Sequence, residues 1–569
     1  MKYFLLLAFL FVGFFITAQT ANLPPDVIAS IQQRIDGGTN PSIVVGIIDA
    51  QGPRYYSFGK TRDGGKKVDE HSIYEIGSIS KVFTATLLAD MITKGQLSAD
   101  DPVDKFLPAT VHIPDFEGKK ITLGNLSDHT SSLPRMPDNF TPADPMNPYA
   151  DYSVDQLYAF LSSYELTRPI GSEYEYSNLA VGLLGHILSL KAGIPYEELL
   201  VKTITTPLHM DETRITFTPQ MKKNLAYGHA MGMEVHNWDL PTLAGAGAIR
   251  SSASDMLKFL SAQMGLTSST LSEAIALTHH IRHDKAGENS VGLGWHITSG
   301  DQHEIIWHNG ATGGYTTFTG FSDATKTGVV VLTNSPENID DIGFHLLDPD
   351  SELRSIIPSI IKKLKEIIEK EGPADLVDNY KDLKVKHAGE YNFNENDINT
   401  LGYYYLNDNK TEPALELFKI NVMEYPNSAN VYDSYGEALM KAGNTKLAIE
   451  NYQKSLALNP ANSNAVDMLA KIGVHAEVPE IKVDENILET YIGTYQIVPG
   501  FDIVVTREDD HLFAQATGQD KFEIFPKSTT GFYYKVVDAQ IDFNKNNDGK
   551  VEGLTLHQGG RDIPGKKKL

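Results

Sequence analysis

Apolar residues follow three different rhythms along the chain. From residue 22 to about 350, short apolar runs mix with helical patterns. Ile43–Ile48 is a short apolar run of the kind that fills a buried strand, and Arg54–Phe58 reads as its partner across a turn at Gln51-Gly52-Pro53. Strand-like runs return late, at Glu304–Trp307, Tyr315–Phe321 and Gly328–Thr333. Strands from both ends of this segment can share one sheet while its middle forms a helical insertion, so the pattern predicts an α/β domain over 22–350. Residues 351–394 are charged and helical in period, with Lys362–Lys370 running into Glu371-Gly372-Pro373, and read as a helical connector. From 476 to the end the period falls to two. Tyr491–Tyr495, Asp502–Thr506, His511–Ala516, Phe532–Val537, Gln540–Phe543 and Val551–Leu556 alternate between Gly- and Asp-rich turns, predicting a small antiparallel β domain for which a barrel is one solution.

Between these lies a repeat. At a spacing of 34 residues over 395–475, Gly402 matches Gly436, Ala414 matches Ala448, Leu415 matches Ile449, Phe418 matches Tyr452 and Pro426 matches Pro460. Small residues suit the points where two helices touch, large ones fill the space between, and proline ends the second helix. Two units are clear, and a third begins at Ala461 and stops near Ile472, as a capping helix would. The pattern resembles the tetratricopeptide repeat, which implies a protein or peptide partner, although such a unit can also be a spacer.

Composition narrows the classes. With 569 residues the chain should hold about three to five domains, and 41% hydrophobic residues are enough for real cores. A net charge of −24 disfavours nucleic acid as a partner. The absence of cysteine rules out disulfides, thiolate metal sites and a cysteine nucleophile. Lys2, thirteen apolar residues from Phe4 to Ile16, and the small residues Thr17 to Ala21 make an export signal over 1–21, too short for the roughly 20 apolar residues of a membrane span. We therefore expect a periplasmic or secreted protein with no span in its mature chain.

Ser78-Ile79-Ser80-Lys81 is a Ser-x-x-Lys, a weak signal alone, since Ser57–Lys60 and Ser359–Lys362 also match. Context separates them. Behind Ser78 an apolar helix opens with Phe83, Leu87, Leu88, Met91 and Ile92 and closes at Gly95. A serine at a helix start lies near unpaired N–H groups and the positive dipole end. Lys81, three residues on, shares its face and can assist loss of the hydroxyl proton. Two later segments complete the set: Tyr176-Ser177-Asn178 ahead of the helical run 179–188, and Trp307-His308-Asn309-Gly310-Ala311 where a strand enters a glycine-rich turn.

Ser-x-x-Lys, then Tyr-x-Asn, then His-x-Gly resembles, in that order, the serine hydrolases of the class C β-lactamase and D-Ala-D-Ala carboxypeptidase family, which also includes esterases. Further likeness lies in His129–Pro134, Gly247–Met256 and Gly292–Trp295, and the resemblance spans about 25–350. It implies an antiparallel sheet with flanking helices and a helical subdomain, and an acyl-enzyme formed on Ser78. By the same resemblance Lys81 and Tyr176 share the proton work, and which of them is the base stays open here. Asn178 holds the substrate amide or Lys81, the N–H groups of Ser78 and Ala311 form an oxyanion hole, and His308, Asn309 and Gly310 line the substrate. Tyr176 would need nearby cations, from Lys81 and His308, to act as a base near neutrality.

One departure shapes the expected substrate. The family's β-lactamases carry Lys-Thr-Gly where this chain has His308-Asn309-Gly310. A histidine is only partly charged near neutrality, so the grip on a substrate carboxylate should weaken as pH rises. That favours D-amino-acid peptides or small esters over β-lactams. We expect no cofactor and no metal. His279 and His283 stand four apart but without an acidic companion and read as a solvated helix end, while His296 and His303 read as surface or satisfied histidines. Glu173 and Glu175 read as loop charges. The run Asn544–Gly549 mimics the start of a calcium loop, but its twelfth position is Thr555 and not glutamate, leaving a hairpin turn. The competing function is a catalytically silent hydrolase fold that recruits partners through its repeats. Covalent labelling by a fluorophosphonate or a penicillin separates the two.

Overall fold

A computed structural model describes residues 23–230, 232–283, 290–299, 304–476, 481–498, 501–537, 539–546, 548–558 and 561–568. The export segment 1–21 and His303 lie outside them. The chain divides into two compact units, Met1–Pro358 and Ser359–Leu569.

The first unit opens with helix α1 (Pro25–Asp36), followed by the hairpin of β1 (Ser42–Asp49) and β2 (Gly52–Gly59). Its middle is helical, with α2 (Ser80–Thr93), α3 (Asn178–Ala192) and α4 (Ala253–Gln263) as the main members. Strands then return as β3 (Ser290–Val291), β4 (His296–Ser299), β5 (Glu304–Ala311), β6 (Thr316–Ser322) and β7 (Thr327–Thr333), before α5 (Asp340–Leu347). Among the described residues they form a seven-stranded sheet in the order β2-β1-β7-β6-β5-β4-β3, every neighbouring pair antiparallel. The first and last strands of the domain therefore pair, with Val45 opposite Val331, and the helical middle is the insertion that the apolar pattern predicted.

Period-two alternation along β1 divides its side chains between two cores. Val44 packs with Val330, Leu332, Phe321, Leu257 and Leu260 on the α4 side. Ile43 and Val45 pack with Val329, Val331 and Phe318 against Val27 and Ile31 of α1 and Ile342 of α5. Each such buried side chain stabilises the fold by about 1.5–3 kcal/mol. Helix α2 has no polar stripe, because every residue from Ser80 to Met91 is buried. It is a core helix wrapped on all sides, which holds Ser78 and Lys81 on a rigid support.

In the second unit, α6 (Ile361–Glu371) and α7 (Leu376–Lys386) precede α8 (Glu395–Asn407), α9 (Thr411–Glu424), α10 (Ala429–Lys441), α11 (Thr445–Leu458) and α12 (Ser463–Lys471). α8 and α10 start 34 residues apart, as do α9 and α11. A β-carbon on Gly402 would stand 2.7 Å from the Phe418 ring, and one on Gly436 3.0 Å from the Tyr452 ring, so the small and large positions of the repeat meet each other. The segment read as a connector is more than a link. Leu364, Ile368, Leu376 and Tyr380 share one apolar cluster with Ile398, Leu401, Leu417 and Phe418 of the first helical pair.

Among the described residues the C-terminal strands, running from Gly493 to Lys567, close into an eight-stranded antiparallel barrel preceded by a short helix, Glu485–Tyr491. Two strands, Lys521–Pro526 and Arg561–Lys567, escaped the alternation pattern. Tyr491 belongs to the helix and not to a strand; its ring stacks on Phe543 at 4.1 Å and helps fill the barrel. The strands ending at Lys545 and starting at Val551 are antiparallel neighbours, and between them Asn546 Oδ1 accepts from the N–H groups of Asp548 and Lys550. Among the described residues no single helix is long and apolar enough to cross a membrane.

Candidate active site

Ser78 sits in a 3-10 turn, Gly77–Ile79, that leads directly into α2. Gly77 has φ +50°, and a β-carbon there would stand 2.8 Å from the Ala311 nitrogen at the end of β5. Only glycine fits both demands, and the close approach sets the Ala311 amide beside the first N–H groups of the turn. Gly310 makes the neighbouring contact: its β-carbon would lie 2.0 Å from the Ile76 carbonyl oxygen. β5 is thereby pressed against the turn that carries Ser78, and it continues through Ala311 instead of ending ahead of the glycine.

Lys81 is wholly buried, and its Nζ has three acceptors: Ser78 Oγ at 3.0 Å, Asn178 Oδ1 at 2.8 Å and the Ala246 carbonyl at 2.8 Å. Burial holds its ammonium well below the usual lysine range, and the Arg135 charge pushes the same way. Once it has lost a proton, the amine has two N–H groups, enough for Asn178 Oδ1 and Ala246 O, and a lone pair left for the Ser78 hydroxyl.

Tyr176 and Asn178 flank the start of α3. Ser177 caps that helix, its Oγ accepting from Ala180 N and donating to Pro134 O. Among the described residues the segment is joined to the 129–135 loop at five points: Glu175 N to His129 O, Ser177 N to His129 Nδ1, Ser177 Oγ to Pro134 O, and Asn178 N and Leu179 N to Arg135 O. The His129 ring stacks on Tyr176 at 4.5 Å, with Lys81 Nζ 4.8 Å and Arg135 Cζ 5.1 Å from the same tyrosine ring centre. Burial pushes the Tyr176 phenol above its ordinary range, against weaker opposite pulls from a Ser78 hydrogen bond and from Arg135. The expectation that neighbouring cations lower it is thus overturned: the surroundings are too dry for the phenolate.

His308 is also neutral. It is 1% exposed, and burial first, then His296 and Lys81, holds its pKa well below the ordinary histidine value. Its Nδ1 lies 2.6 Å from the Asn309 carbonyl, so Nδ1 carries the proton and donates. Nε2 is buried with no hydrogen-bond partner among the described residues. The expected pH-dependent positive charge on His308 does not arise, because the imidazole is shut away from water. Asn309 is not brought to the site. Its Nδ2 donates to Asp340 Oδ2 at 2.7 Å, at the start of α5, because neighbouring residues on a strand point to opposite faces.

Sequence reasoning missed several members. His296 is no surface histidine: its ring lies 4.8 Å from His308 and 6.4 Å from Tyr176, and burial with the Lys81 charge lowers its pKa to about 4. His279 is no solvated helix end either, since it packs on Trp295 and Phe321 and bonds Gln263, and burial first takes it to about 4. An aromatic wall of Phe140, Tyr149 and Trp238 stands beside Asn178, whose Nδ2 is 3.5 Å from the Tyr149 hydroxyl. The buried Glu75–Arg250 pair holds Trp238 by its backbone, with Trp238 N donating to Glu75 and Arg250 to Trp238 O. Glu173 and Glu175 pair with Arg168. No cluster of three or more metal-ligating side chains occurs among the described residues.

The family profile described as Beta-lactamase matches residues 27–345, and the chain belongs to that family. A second profile, described as Domain of unknown function (DUF3471), matches residues 477–567. The D-alanyl-D-alanine-carboxypeptidase/endopeptidase AmpH of Escherichia coli K12 is 30% identical over 318 residues, 53% of this chain and 80% of that protein. A β-lactamase of the same organism is 25% identical over 331 residues, 52% of this chain and 84% of the enzyme. Among solved structures, a class C β-lactamase from Rhodobacter sphaeroides aligns with TM-score 0.50 and 25% identity over 56% of this chain and 99% of its own. A β-lactamase/D-alanine carboxypeptidase from Yersinia pestis, at 23% identity and TM-score 0.50 over 57% and 97%, shares the fold.

Proposed function

We propose that the first unit hydrolyses a small amide or ester through an acyl-enzyme on Ser78. The observation that carries this reading is the setting of the buried Lys81 amine, held by Asn178 and Ala246 with its Nζ 3.0 Å from Ser78 Oγ. Neutral Lys81 takes the hydroxyl proton as Oγ attacks the carbonyl. The N–H groups of Ser78 and Ala311 receive the developing oxyanion, a contribution of roughly 3–4 kcal/mol for each donor. Tyr176, kept protonated by its dry surroundings, hands its proton to the leaving group and is reprotonated through Lys81. Water then releases the acyl group by the reverse proton path, restoring Ser78 and Lys81.

Asn178 acts by fixing Lys81 and turning its amide N–H toward the substrate side. The neutral His308 offers a lone pair and no charge, so the strand motif itself gives a substrate carboxylate no ion pair; D-amino-acid peptides and small esters are the proposed substrates. Export by the 1–21 segment and tetratricopeptide-like partner binding by 395–475 complete the reading. A burst of product on mixing with p-nitrophenyl acetate, with amplitude equal to the enzyme concentration and absent in Ser78→Ala, tests it. Equal steady-state rates in both proteins would reject it.

A further inference from the structure

A substrate carboxylate needs a cation, and the positions expected to supply one do not. His308 is buried and neutral, and Asn309 is turned toward Asp340. Lys81 Nζ is taken up by Ser78, Asn178 and Ala246, and Arg250 is committed to Glu75 and the Trp238 carbonyl. Arg135 is different. It is exposed, and its guanidinium makes no ion pair or hydrogen bond among the described residues. Its backbone is nevertheless fixed, because its carbonyl accepts from Asn178 N at 3.0 Å and Leu179 N at 3.3 Å. The guanidinium carbon lies 5.1 Å from the centre of the Tyr176 ring, whose centre is also 4.8 Å from Lys81 Nζ. The free charge thus stands one aromatic ring away from the Ser78–Lys81 pair, at the solvent side, with the Tyr149–Trp238 wall next to Asn178.

We propose that Arg135 is the specificity-determining residue that holds a free carboxylate of the substrate, doing the work that the strand motif leaves undone. The assignment rests on the hydrolase reading above and names its substrate class: acyl compounds bearing an anionic carboxylate, with a C-terminal peptide acid as the natural form. Arginine suits this, since its planar fork gives a carboxylate two parallel N–H bonds and stays charged at every working pH. Its field also reaches Lys81, His129, Tyr149, Tyr174 and Tyr176, which places it within the site's electrostatics.

The test uses the full chain and a neutral fluorophosphonate that labels Ser78. Two peptides ending in D-alanyl-D-alanine, one with a free C-terminal acid and one amidated, compete with the label. In the wild type the acid should protect Ser78 at a concentration about tenfold or more below the amide, as expected for a charge-assisted pair. Arg135→Gln should erase that advantage and Arg135→Lys should keep part of it. Equal protection by acid and amide in the wild type, or an advantage that survives in Arg135→Gln, overturns the assignment. Equal loss in Arg135→Lys and Arg135→Gln does so too, because packing and not charge would then set the preference. No labelling of wild-type Ser78 at all rejects the hydrolase reading itself, and this assignment with it.

Discussion

Replacing His296 with glutamine should remove one proton from the pH dependence of stability of the first unit. In the folded protein burial and the Lys81 charge bring this imidazole to about 4, against an ordinary value of 6.5. Between those values the unfolded chain binds a proton that the native state refuses. Unfolding then becomes easier as pH falls: the stability is fully present above 6.5 and lost progressively toward about 4. The slope approaches about 1.4 kcal/mol per pH unit, so the step from pH 7 to pH 5 costs roughly 2 kcal/mol for this one residue. That is a large share of a typical margin of about 5–15 kcal/mol. The chain has three tryptophans, Trp238, Trp295 and Trp307, all in the first unit, so tryptophan fluorescence in urea follows that unit selectively. Glutamine cannot titrate, so the difference between wild-type and variant unfolding free energies should itself change by roughly 2 kcal/mol from pH 7 to 5. Carboxylates contribute to both proteins and cancel. Parallel curves would refute the reasoning, since they would mean that native His296 accepts the proton.

Three further outcomes follow from the geometry. The kcat/KM for a neutral ester should rise with pH as Lys81 loses its proton at a value well below the usual lysine range; Lys81→Arg, which keeps its proton, should lower it by about a thousandfold and flatten the profile. Gly436→Ala should cost about 1–3 kcal/mol in the helical repeats, because its β-carbon would meet the Tyr452 ring at 3.0 Å; far-ultraviolet circular dichroism in urea measures this, and an unchanged midpoint would count against that contact. Asn309→Ala should leave the rate of Ser78 labelling within about twofold while lowering stability by about 1 kcal/mol through the lost Asp340 bond; a loss of labelling would return Asn309 to the substrate side.

Particular residues show what could be read in the chain and what could not. Ser78 and Lys81 were legible because an apolar helix starts directly behind them, and Asn178 because it opens another. The repeat was legible through Gly402 and Gly436, whose spacing records two identical helix contacts. Asn309 misled because a motif on a strand carries alternate faces, and only pairing with the neighbouring strand fixes which face reaches the serine. His129 stood in the His129–Pro134 likeness without a role of its own, and His296 enters the site from a separate strand, so no local spacing announces it. Their neutrality, with that of His308, is a property of burial, which depends on all the elements packed around Tyr176. The barrel's missing strands failed for a related reason: Lys521–Pro526 and Arg561–Lys567 carry lysine, arginine and proline that weaken the alternation, and ring closure supplies what local pattern lacks.

The most direct measurement is the site of covalent acylation. The full chain is incubated with a fluorophosphonate, digested, and the adduct located by tandem mass spectrometry, with Ser78→Ala, Ser57→Ala and Ser359→Ala treated alongside. The account predicts one adduct, on Ser78, lost only in Ser78→Ala and slowed at low pH as Lys81 becomes protonated. An adduct on another serine, or one that persists in Ser78→Ala, would contradict it.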